Sequence, residues 1–301
     1  MFDLELTLRS IILNDEGSIY MTKLTDTFDI YNGVKIPKVA FGTWQIPASQ
    51  ARQAVADAIE TGYRHIDTAL VYGNEKEVGQ GIKDSGVKRE DLFVTSKLPA
   101  QTKSYDGALA DFETTMKNLD LDYLDLYLVH APWPWSEIGA NYDKQNLDVW
   151  RAMEEIYKSG RVKAIGVSNF NVHDLENVMK TATVKPMVDQ IQYYIGYTEP
   201  KITSFAKKND ILVEAYSPLA TGGLIHNEDV LKIAEKYHVS VPQLAIQFVI
   251  QNDVLPLPKA VHKEHIVANT KLDFEISAED MKTLNAMPDT APEHSHNSTQ
   301  G

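Results

Sequence analysis

The sequence of 301 residues contains no cysteine, which excludes disulfide bonds, zinc–thiolate sites and a cysteine nucleophile. It also contains no apolar run long enough to span a bilayer. The first ten residues carry acidic side chains where a secretory signal needs basic ones, and no small-residue cleavage site follows them. We therefore expect a cytoplasmic protein without a membrane partner.

Positive charge is scarce. The chain has 29 Lys and Arg against 42 Asp and Glu, which gives a formal net charge of −13. Such a chain repels nucleic acid and anionic lipid, so no polyanionic partner is expected, although a local basic pocket could hold one anionic ligand. No sizeable apolar surface stripe demands a protein partner, which favours a monomer. No metal site is predicted.

A Rossmann fingerprint is absent as well, because Gly79 and Gly81 lie within a helical pattern and lack the G-x-G-x-x-G spacing. What the sequence does contain, from Lys38 onwards, is a regular alternation of short β-rich runs and helical patterns. The predicted strands are Val39–Gly42, Arg64–Asp67, Leu92–Ser96, Leu124–Val129, Ala164–Ser168, Met187–Ile191, Leu212–Tyr216 and Val254–Leu257. The predicted helices are Ser49–Thr61 (capped by its serine), Asn74–Ser85, Tyr105–Leu119, Leu147–Ser159, Val172–Thr181, Lys201–Lys208, Glu228–Tyr237, Val241–Gln251, Glu264–Thr270 and Ala278–Met287.

This alternation predicts an α/β fold with parallel strands and right-handed crossovers. Eight strand–helix units favour a closed (β/α)8 TIM barrel over an open doubly wound sheet. Before it, Phe28–Ile36 reads as a β-hairpin with a type I′ turn at Asn32-Gly33, placed to cap the bottom of the barrel.

The domain prediction is an N-terminal extension over 1–26, a single barrel over 27–290 and a polar, disordered tail over 291–301. For residues 1–20 two interpretations stay open. One is an ordinary flexible N-terminus, and the other is a natural translation start at Met21.

Polar side chains stand at the carboxyl ends of the predicted strands, the face where TIM barrels carry their chemistry. In strand order they are Thr43 and Trp44, Asp67 with Tyr72 just beyond it, Lys97, His130, Ser168 and Asn169, Gln190, Tyr216 and Ser217, and Lys259. We therefore expect them to meet at one mouth of the barrel.

These residue types favour carbonyl chemistry. Asp67 and Lys97 on neighbouring strands can form a buried pair in which both stay charged. An ammonium beside Tyr72 is expected to lower its pKa from about 10, which would make the phenol a general acid for a carbonyl oxygen or a base for an alcohol. His130 can orient the same oxygen. Because no residue here looks like a nucleophile, hydride transfer fits better than acyl transfer.

At this point the chain resembles the aldo-keto reductase family, over essentially Thr27 to Met287. It is similar to bacterial-type members with a short C-terminal loop, such as diketogluconate and carbonyl reductases. The motifs that carry the resemblance are G-T-W at 42–44, G-Y-R-H-I-D-T-A at 62–69, Y-G-N-E at 72–75, S-K-L at 96–98, L-V-H at 128–130, G-V-S-N-F at 166–170, A-Y-S-P-L at 215–219 and P-K at 258–259.

The resemblance implies an oxidoreductase that reduces an aldehyde or ketone with NADPH lying across the barrel mouth. It implies a catalytic tetrad of Asp67, Tyr72, Lys97 and His130. The implied cofactor-binding residues are Ser168, Asn169 and Gln190 on the carboxamide, Tyr216 stacked on the nicotinamide ring, and Ser217, Leu219, Lys259, His265 and Asn269. The expected substrate pocket consists of Trp44, Val71, His130 and Trp133, with Ala131 beside them.

Two departures from the family pattern affect these expectations. His265 stands where an arginine is typical, and Ala260 and Ala268 replace a serine and a glutamate. Because histidine cannot make the bidentate contact of arginine, we expect NADPH to bind through Lys259 with a weakened preference over NADH. Many relatives also place Trp directly after the histidine, and here Trp133 is expected to substitute for it.

Two alternatives of other classes remain. One is a non-catalytic, cofactor-sensing barrel of the same fold, against which the intact tetrad argues. The other is a phosphate-binding isomerase or aldolase that uses Lys97 as a Schiff-base former, although an adjacent Asp67 would keep that amine protonated.

Overall fold

The structure is a computed structural model that describes residues 24–291. The predicted N-terminal extension, including Met21, and the predicted tail lie outside the described residues, except for 24–26 and 291. Within residues 24–291, no helix is long and apolar enough to cross a membrane.

The described strands are β1 Thr27–Asp29, β2 Lys35–Pro37, β3 Phe41–Gly42, β4 His65–Asp67, β5 Phe93–Leu98, β6 Leu124–Val129, β7 Val162–Ser168, β8 Val188–Gln192, β9 Leu212–Tyr216 and β10 Leu255–Leu257. The helices are α1 Ala48–Thr61, α2 Glu75–Asp84, α3 Tyr105–Leu119, α4 Asp143–Lys158, α5 Val172–Met179, α6 Pro200–Lys208, α7 Glu228–Lys236, α8 Val241–Gln251, α9 Lys263–Ala268 and α10 Ala278–Asn285.

Strands β3 to β10 form one parallel sheet in chain order. The sheet closes on itself between its first and last strands. The Ala40 amide donates to the carbonyl of Pro256 in β10, and the Gly42 amide donates to the carbonyl of Pro258 just after β10, both at 3.0 Å. Gly42 suits this seam, since a Cβ there would lie 3.3 Å from the carbonyl oxygen of Leu257. The predicted (β/α)8 barrel is confirmed.

The strands of the barrel are largely buried on both faces, as in β6, whose six residues are all buried. The outward faces of the strands pack against the helices in the larger apolar cluster. A smaller cluster joins Ile36 of the β1–β2 hairpin to Leu126, Ala164 and Leu255 of the barrel strands. The hairpin therefore covers the end of the barrel where these strands begin, as predicted.

The type I′ turn predicted for this hairpin is wrong, although Phe28 does pair with Ile36. Positive φ occurs at Gly33 (84°) but not at Asn32, whereas type I′ needs it at both. The Gly33 amide donates to the Ile30 carbonyl at 2.8 Å, so the loop has three residues and ends in a left-handed glycine. The Asn32 amide group instead donates to the Lys163 carbonyl at 3.0 Å, which ties the loop to the barrel.

Among the helix starts, those of α1, α2, α6 and α9 lie one residue from the prediction, and that of α4 lies four residues from it. Helix α1 begins after Pro47, so Ser49 lies inside the helix and does not cap it. Helix α4 begins at Asp143, four residues before the predicted Leu147. Its first turn is polar, and the Asn141 side chain accepts the Asp143 amide hydrogen at 3.0 Å.

Candidate active site

A cleft of about 880 Å³ opens at the carboxyl ends of the barrel strands. Twelve of the predicted site residues line it, and they come from seven of the eight barrel strands or the loops that follow them. These residues are Trp44, Asp67, Val71, Tyr72, His130, Ser168, Asn169, Gln190, Tyr216, Ser217, Leu219 and Lys259. The structure thus brings together most of the residues that the sequence places at one mouth.

Lys97 lies beneath the cleft and is fully buried. Its Nζ donates to both oxygens of Asp67, at 2.7 and 2.8 Å, and to the Thr68 carbonyl at 2.9 Å. Burial acts to lower the Lys97 pKa, but the Asp67 and Tyr72 oxygens outweigh it, and the pKa is raised. The lysine is therefore a permanent ammonium held by the ends of β4 and β5.

Tyr72 follows β4 on a short helical turn that ends at Gly73, whose left-handed φ of 68° turns the chain into α2. The Tyr72 hydroxyl lies 3.4 Å from Lys97 Nζ. Its ring meets the His130 ring edge to face, with centroids 5.6 Å apart. The phenol, the ammonium and the imidazole therefore form one group at the floor of the cleft.

The expected lowering of the Tyr72 pKa is wrong in its net direction. Burial raises the pKa of the phenol, and the Asp67 carboxylate adds to this, while the Lys97 ammonium opposes it. For His130, burial and the Lys97 charge together hold the pKa well below its ordinary value. At neutral pH the tyrosine is thus a neutral phenol and the histidine a neutral imidazole.

A second group lies at the ends of β7, β8 and β9. The Tyr216 hydroxyl donates to Asn169 Oδ1 at 2.6 Å, and Asn169 Nδ2 donates to the His130 carbonyl at 2.9 Å. Ser168 Oγ donates to the Gln190 carbonyl at 2.8 Å. Asn169 has a left-handed φ of 60°, a conformation that asparagine tolerates better than most residues. These hydrogen bonds hold the side chains of Ser168, Asn169 and Tyr216 in place along one wall of the cleft.

One residue beneath this wall was missed by sequence reasoning. Glu214 is fully buried in the middle of β9, and its Oε2 accepts a hydrogen from Gln190 Nε2 at 2.8 Å. Burial, with the nearby Asp67 charge, raises the pKa of Glu214 to about 8. The signal was present in the sequence, because a glutamate interrupts the otherwise apolar strand L-V-E-A-Y.

Trp133 does not line the cleft, so its prediction as a substrate-contacting residue needs correction. It is buried against Ala100 and Ala131 in a small apolar cluster. Trp135 lines the cleft instead, with its ring 5.5 Å from the His130 ring and 5.2 Å from Trp133. Trp133 therefore supports the tryptophan that faces the cleft.

Two of the predicted cofactor-binding residues, His265 on α9 and Asn269 at its end, lie outside the walls of the cleft. Lys259, which follows β10 and precedes α9 in the chain, does line the cleft. The His265 ring contacts the ring of His262, with centroids 6.2 Å apart. His265, the residue expected in place of an arginine, therefore has a second histidine beside it.

Comparisons with known proteins agree with this geometry. A family model described as the aldo/keto reductase family matches residues 38–289. The glyoxal reductase of Bacillus subtilis is 43% identical over 268 residues, which cover 88% of this chain and 94% of that protein.

Solved structures are similar as well. An aldo-keto reductase from a Medee basin deep-sea metagenome library has a TM-score of 0.84 at 39% identity, covering 91% of this chain and 100% of that chain. A Bombyx mori aldo-keto reductase in complex with NADP has a TM-score of 0.79 at 30% identity, covering 91% and 98%.

Proposed function

Because the chain belongs to the aldo/keto reductase family and is an NAD(P)H-dependent oxidoreductase with a small-molecule carbonyl substrate, we propose that Tyr72 donates the proton in its reaction. The reaction reduces an aldehyde or ketone to the alcohol. The observation that carries the proposal is the Tyr72 hydroxyl, placed 3.4 Å from a buried ammonium and beside His130 at the floor of the cleft.

Tyr72 gives its proton to the carbonyl oxygen as charge develops there. Its raised pKa keeps the phenol protonated at neutral pH, so the donor is always loaded. After transfer the phenolate is left 3.4 Å from Lys97, whose ammonium stabilises it. Asp67 keeps that ammonium in place through two hydrogen bonds. Burial thus favours the protonated phenol of Tyr72 before proton transfer, and the Lys97 ammonium stabilises the phenolate after it.

His130 acts by hydrogen bonding. Its lowered pKa keeps the imidazole neutral, so it orients the carbonyl oxygen toward Tyr72 and does not compete as a proton source. The Asn169 bond to the His130 carbonyl fixes the backbone from which this ring projects.

The chemistry of the cleft fits a nicotinamide cofactor. A bound NAD(P)H supplies a hydride to the carbonyl carbon. Ser168, Asn169 and Gln190 together offer the donors and acceptors that a carboxamide needs. Tyr216, held by its bond to Asn169, offers an aromatic surface for the ring. We propose that NADPH is the main cofactor through Lys259, and that His265 leaves NADH usable as well.

The substrate end of the cleft is apolar and open. Trp44 and Val71 are 46% and 45% exposed at the mouth, and Trp135 lines the cleft beside His130. Such walls favour small aldehydes, ketones or dicarbonyls, and one relative is named a glyoxal reductase. We propose that the protein acts as a monomer, because no sizeable apolar stripe in the sequence demands a partner, and light scattering tests this directly.

The decisive experiment is a panel of aldehydes, ketones and dicarbonyls, glyoxal among them, assayed with NADPH and with NADH. Loss of reduced-cofactor absorbance, with formation of the alcohol, supports the proposal. Binding of the cofactor without turnover of any carbonyl would instead support a cofactor-sensing barrel.

A further inference from the structure

A buried carboxyl lies one layer below the cleft, at Glu214. In the sheet, Glu214 pairs with Gln190 on one side and with Leu255 on the other. Its Oε2 accepts a hydrogen from Gln190 Nε2 at 2.8 Å, while its Oε1 is buried and has no hydrogen-bond partner among residues 24–291. A buried glutamate with half its hydrogen-bonding capacity unused is costly, so its presence in a barrel core calls for a function.

The function is visible in the Gln190 amide. Its Nε2 donates to two carboxyls at once, Glu214 at 2.8 Å and Asp67 Oδ2 at 3.0 Å. Both amide hydrogens are thereby used, and a flipped amide would place its oxygen against the Asp67 carboxylate, which has no hydrogen to donate. Gln190 lines the cleft, so the amide oxygen is the part left for a ligand. The two carboxyls therefore fix a hydrogen-bond acceptor in the wall of the cleft.

Asp67 alone would hold this orientation less firmly, because it already accepts two bonds from Lys97. Glu214 makes the shorter of the two bonds to Gln190 and comes from the neighbouring strand, so its position is set by the register of β8 and β9. Without it, one amide hydrogen would have no partner in a buried place.

The charges around Glu214 are compatible with this role. Asp67 on β4 and Lys97 on β5 are the charged groups that face it, and its sheet neighbours Gln190 and Leu255 are uncharged. Two carboxyls share one ammonium, so a proton on Glu214 leaves the buried cluster neutral. A protonated carboxyl still offers its carbonyl oxygen to Gln190.

We propose that Glu214 is a positioning residue that orients the Gln190 amide so that its oxygen accepts a hydrogen bond from the nicotinamide carboxamide. The inference rests on the proposed function, which assigns Gln190 to the cofactor. It adds that Glu214, which does not itself contact the cofactor, makes Gln190 the acceptor in its hydrogen bond with the carboxamide.

The test compares two ligands that differ only in the group Gln190 would recognise. They are NADP⁺ and its acetylpyridine analogue, in which a methyl ketone replaces the carboxamide and no N–H remains. Dissociation constants are measured by quenching of protein fluorescence on the full-length chain. The variants are Glu214→Leu, which removes the acceptor, and Glu214→Gln, which retains a carbonyl oxygen. Glu154→Gln is the matched control. Glu154 is a buried carboxylate on α4, away from the cleft, and it accepts hydrogen bonds from the backbone amides of Thr183 and Val184.

We expect wild type and Glu154→Gln to prefer NADP⁺ over the analogue by about tenfold, the factor that one well-placed hydrogen bond supplies. Glu214→Leu should weaken NADP⁺ binding and bring this preference close to one, while Glu214→Gln should restore most of it. A purely structural role predicts instead that both ligands weaken by the same factor, and that result would overturn the inference. Unchanged NADP⁺ binding in Glu214→Leu would do the same.

Carbonyl turnover, followed in the same wild-type preparation, separates the two claims. A wild type that binds NADP⁺ with the expected preference but reduces no carbonyl contradicts the proposed function, while the Glu214 inference is judged from the binding ratio alone.

Discussion

Substituting Lys97 by methionine should destabilise the fold as well as abolish activity. Lys97 and Asp67 form a pair with almost no solvent exposure, linked by two hydrogen bonds of 2.7 and 2.8 Å. Methionine fills a similar volume but leaves the carboxylate with Gln190 as its remaining side-chain donor. Breaking a buried pair from one side costs roughly 3–5 kcal/mol. With an unfolding entropy of about 2.1 cal/mol/K per residue, a chain of 301 residues loses about 1.6 °C of Tm per kcal/mol, so the expected fall in Tm is about 5–8 °C.

The assay is thermal unfolding of the full-length protein with matched controls. Lys35→Met breaks an ion pair with Asp29 in which both side chains are about two-thirds exposed, so we expect a change within about 0.5 kcal/mol. The double variant Asp67→Asn/Lys97→Met removes both charges and should recover most of the lost stability. A Tm for Lys97→Met equal to that of Lys35→Met would refute the reasoning, as would a double variant less stable than the single one.

The same variant bears on mechanism. The Lys97 ammonium is the influence that lowers the pKa of Tyr72 against burial, so its loss should raise that pKa further. The phenolate left after proton transfer would then lack its stabilising charge. We expect turnover to fall by 100-fold or more, an order typical of lost acid–base catalysis, including in samples kept well below the lowered Tm. A pH–rate profile superimposable on wild type would show that the coupling is absent.

Three further predictions address the proton donor, the cofactor and the buried carboxyl. Tyr72→Phe should reduce turnover by about 100-fold or more while fluorescence titration shows unchanged cofactor binding, and wild-type turnover would refute the assignment. His265→Arg should raise the ratio of kcat/KM for NADPH to that for NADH by about tenfold or more, because an arginine can make a charge-assisted hydrogen bond to the phosphate that NADH lacks. An unchanged ratio would show that residue 265 does not contact that phosphate. Glu214 binds a proton in the native state from its unfolded pKa, near 4.3, up to about pH 8, which the unfolded chain does not bind. Unfolding free energy should therefore fall as pH rises through this window, and denaturant titrations of Glu214→Gln should show a flatter dependence; equal slopes would count against the shift.

Strand positions were predictable where buried apolar runs ended at recognisable turns. Strand β6 has the predicted bounds because it is a continuous buried run, and β9 has them although Glu214 interrupts its apolar pattern. Helix α4 was predicted four residues too late, because its first turn is polar and the apolar pattern begins at Leu147. Periodicity reports the buried face of a helix, and it is silent about a first turn that faces solvent.

The meeting of the site residues in one cleft was predictable, because a parallel barrel brings the carboxyl ends of all its strands to the same face. Two features depended on packing and could not be read from the sequence. Trp133 and Trp135 flank one proline, and which of them turns inward is settled by the apolar cluster around Ala100. The Tyr72 pKa moves upward because burial outweighs the neighbouring ammonium, and sequence shows the charge without the burial. The catalytic and cofactor-binding roles themselves stay predictions.

The sealed position of Lys97 has a consequence for an enzyme that handles carbonyl compounds. Aldehydes and ketones condense with free amines, and the reaction needs an accessible, unprotonated nitrogen. Lys97 has a raised pKa, no exposed surface and bonds to Asp67 and Thr68. The amine on which the proposed reaction depends is thus immune to condensation with the compounds that enter the cleft. The sequence also contains no cysteine, so no thiol can add to a carbonyl substrate. Condensation with the protein's own substrates is thereby directed to accessible amines such as Lys259, which lines the cleft, while the amine at its floor stays intact.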